Sequence, residues 1–398
     1  MDKWIGEVLI VGGGPVGLLL GNLLGQQGIR CAVVEQRTEP LTQSRAIGVM
    51  PPSLCILKHL HLDRAFVDAG VRVDTALVHD ERGILGKMEF CGLLGGYPFI
   101  LSLPQAQTVR LLKEHLKCFP SVRYCTGTSV VGLMQSDRDV AIRLQQEREA
   151  ICQASVVVGC DGIHSTVRNL VEIPSVERLY GLSFLMGDFE DNSGLNAEAH
   201  LFFTPRGSVE SFPLPNQQRR WIVQTDRYMA ESSEGFLADR VEALSGVDVR
   251  GSKQVWQSAF ATRRMVCRQY SNGRVVLCGD AAHVTSPIGG QGMNTGFADA
   301  ALLAQVLVAV LRCGASIRTL FRQYAYFRRR AFKEAMRRAE WGMWLGTRKG
   351  HLMSGLRSVL IKNVLLRPPV VHRLRDHFAM WTIPHQGLDL NAQHGKGS

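Results

Sequence analysis

The chain has 398 residues, 45% of them hydrophobic, and a mean hydropathy near zero, as expected of an ordinary soluble protein with room for two intergrown cores. Its formal net charge of +11 is concentrated between residues 312 and 375, where sixteen Lys and Arg face two acids, so the rest of the chain is slightly acidic. This distribution argues against a protein that is basic throughout, and no nucleic-acid recognition motif accompanies the basic segment.

Two further features argue against secretion and membrane insertion. None of the ten cysteines belongs to a C-x-x-C pair and several lie in apolar runs, which predicts reduced, buried thiols in a cytoplasmic protein. The apolar stretch 8–24 contains five glycines and a proline and lacks a small-residue cleavage site. It is therefore predicted to be neither a signal peptide nor a membrane span.

The N-terminal region predicts a βαβ unit. Residues 5–11 form a strand, GGGPVG turns into a helix over 18–27, and residues 29–35 form a second strand. The motif G-x-G-x-x-G falls on Gly12, Gly14 and Gly17, a spacing that permits a tight turn and close approach to a pyrophosphate. Glu35 ends the second strand, where a carboxylate accepts hydrogen bonds from a ribose with free hydroxyls.

Two helices are predicted further along. The first begins at Pro52-Ser53 after a loop, and the second, Gln105 to Leu116, is amphipathic. His59, His61 and Asp63 have the composition of a metal triad, but helical residues two apart do not share a face, so no metal site is predicted.

A second buried strand ends in Asp161-Gly162, and the character of the sequence changes after residue 176. Short alternating strands such as 200–204 and 219–225, with turn residues between them, predict an antiparallel sheet up to about residue 266. We interpret this region as a substrate domain inserted between two halves of a cofactor domain.

The stretch 274–300 combines the most restrictive signals. A buried strand over 275–278 leads to Gly279-Asp280, then to a loop with Pro287 and three glycines, then to a helix that begins near Met293 or Asn294. Such a loop presents free N–H groups and the positive end of the helix dipole to an anionic group.

Together these motifs resemble those of the class A flavoprotein monooxygenases, typified by para-hydroxybenzoate hydroxylase, over roughly residues 5–312. The resemblance implies an α/β fold with a Rossmann-like FAD-binding domain, an inserted antiparallel-sheet substrate domain and a helical C-terminus. The implied boundaries are 1–175 and 269–312 for the FAD-binding domain, 176–268 for the substrate domain, and 313–398 for the C-terminal helical region and polar tail.

The resemblance also implies which residues bind FAD. They are Gly12, Gly14, Pro15, Gly17, Glu35, Gln36, Arg45, Gln105, Asp161, Gly162, Gly279, Asp280, Pro287, Gly290, Gly292, Met293 and Asn294. Pro287 and Gly292 are expected beside the flavin ring. No catalytic acid or base is assigned. Tyr180, His200 and Tyr228 could polarise a phenol, but we favour surface or core-edge roles for them, and we expect His283 to pack or to fix the loop.

The implied reaction is the hydroxylation of an aromatic substrate, phenolic and of polyketide or quinone type. NADPH or NADH reduces the FAD, and O₂ then gives a flavin C4a-hydroperoxide. No second G-x-G-x-x-G follows a strand, which leaves NADPH against NADH open. Two alternatives stay open as well: a flavin reductase of isoprenoid or quinone type, and a flavin-binding protein without turnover. A halogenase is disfavoured, since the W-x-W-x-I-P signature is missing.

Residues 318–375 pair arginine clusters with aromatic side chains. We favour helices that pack on the FAD-binding domain with their arginines extending into solvent. The alternative is peripheral contact with an anionic membrane surface, as in hydroxylases of quinone biosynthesis.

Overall fold

The computed structural model of the chain describes residues 4–39 and 46–383. The strands in chain order are β1 (Ile5–Val11), β2 (Cys31–Val34), β3 (Gly48–Val49), β4 (Val71–Val73), β5 (Thr75–Asp80), β6 (Gly83–Glu89), β7 (Ile100–Ser102), β8 (Val122–Cys125), β9 (Ser129–Gln135), β10 (Val140–Gln145), β11 (Glu149–Gly159), β12 (Ser175–Glu190), β13 (Ala199–Thr204), β14 (Gly207–Leu214), β15 (Gln218–Thr225), β16 (Gln254–Cys267), β17 (Ser271–Asn272), β18 (Val275–Leu277) and β19 (His283–Val284).

The helices in chain order are α1 (Pro15–Gln26), α2 (Pro51–Lys58), α3 (Asp63–Ala69), α4 (Gln105–Leu116), α5 (Thr166–Leu170), α6 (Phe236–Ser245), α7 (Gln291–Cys313), α8 (Ile317–Gly346), α9 (His351–Leu360) and α10 (Val370–Phe378). Two of them begin earlier than the sequence predicts. Helix α1 starts at Pro15, whose fixed φ suits the first helical position. Helix α7 starts at Gln291 because Gly290 takes a left-handed conformation (φ 64°) at its N-cap.

The first sheet has the strand order β17-β18-β11-β1-β2-β8, and its strands β18, β11, β1, β2 and β8 run parallel. Strands β10 and β9 extend it as an antiparallel flap on β11. Strands β2 and β18 are buried along their whole length, which suits their continuous apolar sequences and places them in the centre of a layered α/β core.

The second sheet, the large sheet, has the order β19-β16-β12-β15-β14-β13-β5-β6 and is antiparallel except where β13 pairs with β5. The predicted antiparallel sheet is therefore present, but it also contains residues 75–89, which the sequence analysis assigned to the FAD-binding part. The reason is a long-range pairing of β13 with β5, which local hydrophobic periodicity does not reveal.

Two neighbouring rows of side chains cross the middle of the large sheet on opposite faces. The sealed row consists of Phe202, Val209, Val223, Leu185 and Ala259, all buried in a core that α6 covers. The open row consists of Leu201, Glu210, Ile222, Met186 and Ser258, of which only Met186 is buried. The open row faces the other side of the sheet, where the loop before α7 and the end of α8 lie.

The C-terminal residues form helices α8, α9 and α10, so the predicted helical C-terminus is present. Its arginines do not all extend into solvent: Arg328, Arg338 and Arg357 are buried, and each donates hydrogen bonds to main-chain carbonyls. This corrects the prediction for these three residues, because a buried guanidinium needs such partners.

Helix α7 has the length and apolar composition of a membrane span, the one such helix among the described residues, but two thirds of its most apolar window (67%) is buried inside the protein. All ten cysteines lie in the described residues as free thiols. In the same ranges no group of three His, Cys, Asp or Glu is placed to hold a metal ion, and Asp63 accepts a hydrogen bond from Tyr97 (2.6 Å).

Candidate functional site

Three chain segments meet where parallel strands of the first sheet end. In the strand register, Val11 at the end of β1 lies beside Gly159 at the end of β11, and Gly159 lies beside Leu277 at the end of β18. The glycine turn after β1, Asp161-Gly162 and Gly279-Asp280 therefore emerge at one edge. The carboxyl ends of parallel strands are where α/β sheets bind ligands.

The turn from β1 into α1 requires glycine at two positions and leaves a third one open. Gly12 has φ 109°, and a Cβ there would lie 2.4 Å from the carbonyl oxygen of Cys160. A Cβ on Gly17 would lie 2.0 Å from the carbonyl oxygen of Gly12, so both positions are closely packed. A Cβ on Gly14 would meet nothing within 4 Å, and no side chain caps the helix that starts at Pro15. The entry to α1 thus has open space at Gly14 and no side-chain cap on its first N–H groups, as an anion site needs.

Glu35 lies at the end of β2 beside this turn. Its carboxylate accepts hydrogen bonds from the Gly13 N–H (2.8 Å) and the Arg37 N–H (3.0 Å). The following residue, Gln36, is exposed. Two main-chain donors therefore fix the Glu35 carboxylate, and each of its oxygens keeps further acceptor capacity.

Asp161 organises the turn after β11. Its carboxylate accepts hydrogen bonds from the Ser165 hydroxyl (2.6 Å) and the Val167 N–H (3.0 Å), and these bonds hold the start of α5. Burial raises the pKa of Asp161, while the two hydrogen bonds act against that rise. Gly162 has φ 78°, a conformation that favours glycine.

Arg168, which sequence reasoning missed, links two of the motifs. Its guanidinium is buried and donates to the carbonyl of Ile163 (2.7 Å) and to the carbonyl of Ala281 (3.1 Å). The segment after Asp161-Gly162 is thereby joined to the segment after Gly279-Asp280. An arginine two residues into a short helix gives no local sign of such a contact.

Asp280 follows Gly279 shortly after β18. Its side chain is exposed at the surface, yet enough protein surrounds it that burial raises the pKa of its carboxyl. Gly279 before it has φ 63° and packs against Val16 of α1, as does Gly296 of α7. The two glycines bring the α1 turn, Asp280 and the first turns of α7 together.

A buried ionic cluster fixes the chain behind Asp280. Asp299 Oδ2 lies 2.6 Å from His283 Nε2 and accepts a hydrogen bond from the Gly279 N–H (3.1 Å), and the Arg328 guanidinium donates to Asp299 Oδ1. Burial opposes ionisation of Asp299, but His283 and Arg328 outweigh it and lower its pKa to about 2. His283 is thus engaged in holding the loop, in agreement with the role expected for it.

The loop before α7 forms a turn in which the Gly290 N–H donates to the Pro287 carbonyl (3.0 Å). Pro287 is exposed, no side chain caps α7, and a Cβ on Gly292 would meet one atom, 3.9 Å away. The helix start therefore offers main-chain N–H groups at an accessible surface. Met293 is half-buried and packs against the core.

The side chain of Asn294 binds other parts of the protein and is not open to a ligand. Its side-chain amide donates to the carbonyls of Gly48 (3.0 Å) and Gly290 (2.8 Å) and accepts from the Met50 N–H (2.9 Å) and the Ser53 hydroxyl (2.7 Å). All of these partners belong to the protein. The side chain therefore joins residues 48–53 to the start of α7.

The remaining predicted residues are dispersed. The Gln105 N–H donates to the carbonyl of Ala46 (3.0 Å), and Arg45 lies outside the described residues. Tyr180 donates to Glu340 (2.5 Å), His200 Nδ1 lies 3.0 Å from His79 Nε2, and Tyr228 is exposed. Neither these two contacts nor the exposure of Tyr228 indicates a catalytic role.

The large sheet closes the other side of this region. Ile288, next to Pro287, packs with Phe184, Met186 and Phe260, which lie on the same face of the large sheet as the open row. At the far end of that face, Gly346 at the end of α8 approaches Phe203. The glycine loop and the open row thus face each other across an apolar wall.

The comparisons with known proteins agree with this geometry. The model of the family described as "FAD binding domain" matches residues 6–339. Rifampicin monooxygenase of Streptomyces venezuelae is 31% identical over 318 residues, which are 76% of this chain and 64% of that protein. 6-Methylpretetramide 4-monooxygenase of Streptomyces rimosus is 32% identical over 320 residues, 77% of this chain and 56% of that protein. The chain thus spans about three fifths of the length of these relatives.

Solved structures show the same fold. The p-nitrophenol 4-monooxygenase PnpA of Pseudomonas putida DLL-E4 superimposes with a TM-score of 0.87 at 24% identity, covering 96% of this chain and 98% of that one. BexE, described in connection with oxidation during BE-7585A biosynthesis, gives a TM-score of 0.78 at 28% identity, covering 95% of this chain and 77% of that one. The resemblance to the class A flavoprotein monooxygenases is confirmed, and the chain belongs to the FAD-binding domain family.

Proposed function

We propose that the protein is an FAD-dependent monooxygenase that hydroxylates an aromatic, phenolic substrate with O₂ and NADPH or NADH. The observation that carries the proposal is the meeting of three glycine motifs at one sheet edge, opposite an apolar sheet face. Its relatives include rifampicin, pentachlorophenol and p-nitrophenol monooxygenases, and their names support an aromatic substrate. We further propose that this phenolic substrate is of polyketide or quinone type.

The residues present fit FAD. The open surface at Gly14 and the uncapped start of α1 suit its pyrophosphate, Glu35 suits a ribose, and Asp280 suits the ribityl chain. The loop from Pro287 to Met293 suits the flavin ring. When bound, FAD supplies hydride acceptance from the nicotinamide cofactor and the activation of O₂.

The chain's own groups would then do three things. The uncapped N–H groups of α7, near Gly292, stabilise negative charge on a reduced cofactor. Pro287 gives a rigid wall that has no N–H donor. Ile288, Met186 and Phe260 exclude water from the space in front of that wall, which favours oxygen transfer over loss of the oxidant to solvent.

FAD binding is tested at the one glycine of the first turn that has room for a side chain. A Cβ at Gly14 meets no atom within 4 Å, so the fold should tolerate Gly14→Val, while the valine extends into the space proposed for the pyrophosphate. We expect the affinity for FAD to fall at least about tenfold. Gly251→Val, at another open and exposed glycine, is the matched control and should leave FAD affinity unchanged.

Turnover is tested with the FAD-loaded protein, NADPH and NADH in separate assays, a panel of phenols and isotopically labelled O₂. A monooxygenase places one labelled oxygen atom in the product. A flavin reductase consumes nicotinamide without labelled product, and a flavin-binding protein without turnover shows no phenol-stimulated nicotinamide oxidation. Either of these results contradicts the proposal, and the assay also decides between NADPH and NADH.

The cytoplasmic location stays a prediction based on the free cysteines. Contact of the basic C-terminal region with a membrane also stays untested by the fold. The buried Arg328, Arg338 and Arg357 account for part of its charge as internal hydrogen-bond donors. Sedimentation with anionic vesicles at high salt tests whether the other basic residues of this region bind a membrane surface.

A further inference from the structure

Glu210 occupies an unusual position for a carboxylate, at the centre of the large sheet. It lies in β14 between Leu201 of β13 and Ile222 of β15, with Met186 of β12 one strand further on. Side chains at paired positions of antiparallel strands project from the same face. Glu210 therefore shares a face with Met186, which packs against Ile288 of the loop before α7.

This carboxylate has no protein partner among the described residues. No hydrogen-bond donor and no cation there contacts it, although Glu210 lies on a central strand of an eight-stranded sheet. Buried or half-buried carboxylates normally have such partners, since an unpaired one costs free energy. An unpaired carboxylate in this position indicates a partner that the protein itself does not supply.

Glu210 is also both deep and accessible. Burial alone raises the pKa of its carboxyl to about 7, yet the side chain is only half-buried. Its neighbours in the open row, Leu201 and Ile222, are half-buried as well. Glu210 is therefore surrounded by protein and still partly accessible, on the sheet face where Ile288 of the loop before α7 packs with Met186 and Ile222.

Two buried guanidinium groups lie near this face, and neither forms a hydrogen bond or an ion pair with Glu210. Arg357 packs on the ring of Phe203, two residues from Leu201 in β13. The next row of the same face contains Arg220, which is fully buried and bound through two hydrogen bonds to Asp188 (2.7 and 2.8 Å). Trp256 donates a further bond to Asp188 (2.5 Å). The positive charge of Arg220 is thus compensated, while the negative charge of Glu210 is not.

We infer that Glu210 is the polar anchor for the substrate: its carboxylate accepts a hydrogen bond from a phenolic O–H or an aromatic N–H and repels aromatic carboxylates. The inference rests on the proposed function, since it takes the open row as the wall of an aromatic-substrate site. It deepens that function by naming the substrate class, a neutral aromatic hydrogen-bond donor. Leu201, Ile222 and Met186 would contact its ring.

The test uses the FAD-loaded, oxidised protein without nicotinamide at about pH 8.5, where the Glu210 carboxyl is ionised. Calorimetry measures the affinity for three probes: phenol, anisole and para-hydroxybenzoate. Phenol and anisole differ in the hydrogen-bond donor, and phenol and para-hydroxybenzoate differ in the carboxylate. We expect the parent protein to bind phenol about tenfold or more tightly than either of the others, because hydrogen bonds to charged acceptors have about that worth.

Two variants separate the acceptor from its charge. Glu210→Leu removes the acceptor, and its preference for phenol over anisole should fall below about threefold. Glu210→Gln keeps an acceptor oxygen without the charge, and its affinity for para-hydroxybenzoate should rise about tenfold. Glu190→Leu and Glu190→Gln, at an exposed end of β12 in the same sheet, are the matched controls and should behave as the parent.

Equal affinity of the parent for phenol and anisole would overturn the inference. So would a phenol preference that survives in Glu210→Leu. These readouts need no turnover, so failure of the proposed function is recognised separately. A protein that prefers phenol through Glu210 but gives no labelled product keeps the inference about binding and loses the proposal of monooxygenation.

Discussion

The two rows of side chains that cross the large sheet lie one residue apart on the same strands and have opposite environments. In the sealed row, Val209 and Val223 have no exposed surface and pack beneath α6. In the open row, their sequence neighbours Glu210 and Ile222 are half-buried and face the loop before α7. Successive side chains of a strand project to opposite faces of the sheet, so one face stabilises the domain and the other is available to a ligand.

Carboxylates differ in the same way. Asp299 behind the glycine loop has His283, Arg328 and a main-chain N–H as partners, and its pKa is lowered to about 2. Glu210 has burial alone, which raises its pKa to about 7. The first arrangement stabilises the fold, whereas the second spends stability to keep an acceptor free. Substitutions at the two positions should therefore have opposite effects.

The largest effect is expected for Asp299→Asn. The change leaves the buried Arg328 without its carboxylate, which costs about 3–5 kcal/mol in the free energy of unfolding. Because the folded pKa of Asp299 (about 2) lies below its ordinary value of 3.8, its contribution is complete above pH 4 and is lost as the pH falls toward 2.

Urea unfolding at several pH values measures this cost. The difference between parent and variant should persist from pH 7 down to about 4 and shrink below that. A difference under about 1 kcal/mol at pH 7 would show that Arg328 finds other compensation. Asp299 would then not be a carboxylate whose ion pair strongly stabilises the fold.

A smaller effect is expected from a direct comparison of the two rows. Leu185→Ala in the sealed row should lower the free energy of unfolding by about 2–4 kcal/mol, since α6 cannot follow into the cavity. Ile222→Ala in the open row should cost about 1 kcal/mol or less, because Ile222 is already partly accessible. Urea unfolding of both variants measures these two costs. Equal losses in the free energy of unfolding would contradict the difference between the sealed row and the open row.

The smallest effect is a gain in stability for Glu210→Gln that depends on pH. The folded pKa of Glu210, about 7, lies above its ordinary value of 4.5, so the folded parent keeps a proton that the unfolded chain releases. Its stability therefore falls as the pH rises from about 4.5 to about 7, and glutamine removes this loss. After allowance for its partial accessibility, we expect the variant to gain about 1–2 kcal/mol on the parent between pH 5 and pH 8.

Thermal unfolding at the two pH values checks this prediction, with Glu190→Gln as the control. Parallel pH profiles for the parent and Glu210→Gln would mean that the Glu210 carboxyl is hydrated as in water. A variant that is less stable than the parent at pH 8 would mean that the carboxylate has a partner in the protein.

Local patterns predicted the parts of the site that are local in sequence. The glycine turn, Glu35 and Asp280 follow short apolar strands, and the spacing alone places them at strand ends. Contacts between distant segments left no such pattern. The pairing of β13 with β5, the bridge made by Arg168 and the partners of Asp299 join residues far apart in the chain.

Glu210 illustrates the remaining difficulty. In the sequence it is one acid in the run GSVESFPL, and alternation alone would assign it to a solvent-facing side of a strand. In the structure, the loop before α7 packs against that face through Ile288, so the side of the strand that contains Glu210 is partly covered. Its importance comes from what the tertiary structure places in front of it.

The bridge made by Arg168 has a consequence for protein engineering. Its guanidinium donates hydrogen bonds to the carbonyls of Ile163 and Ala281, which lie before and after the segment that forms most of the large sheet. Arg168 and Ala281 are 113 positions apart. The part of this stretch from β12 to β16 is a unit that could be exchanged for a foreign one, whereas β17, β18 and Gly279-Asp280 belong to the first sheet and must stay. Because β5 and β6 complete the same sheet from an earlier part of the chain, a working chimaera must transplant that hairpin too.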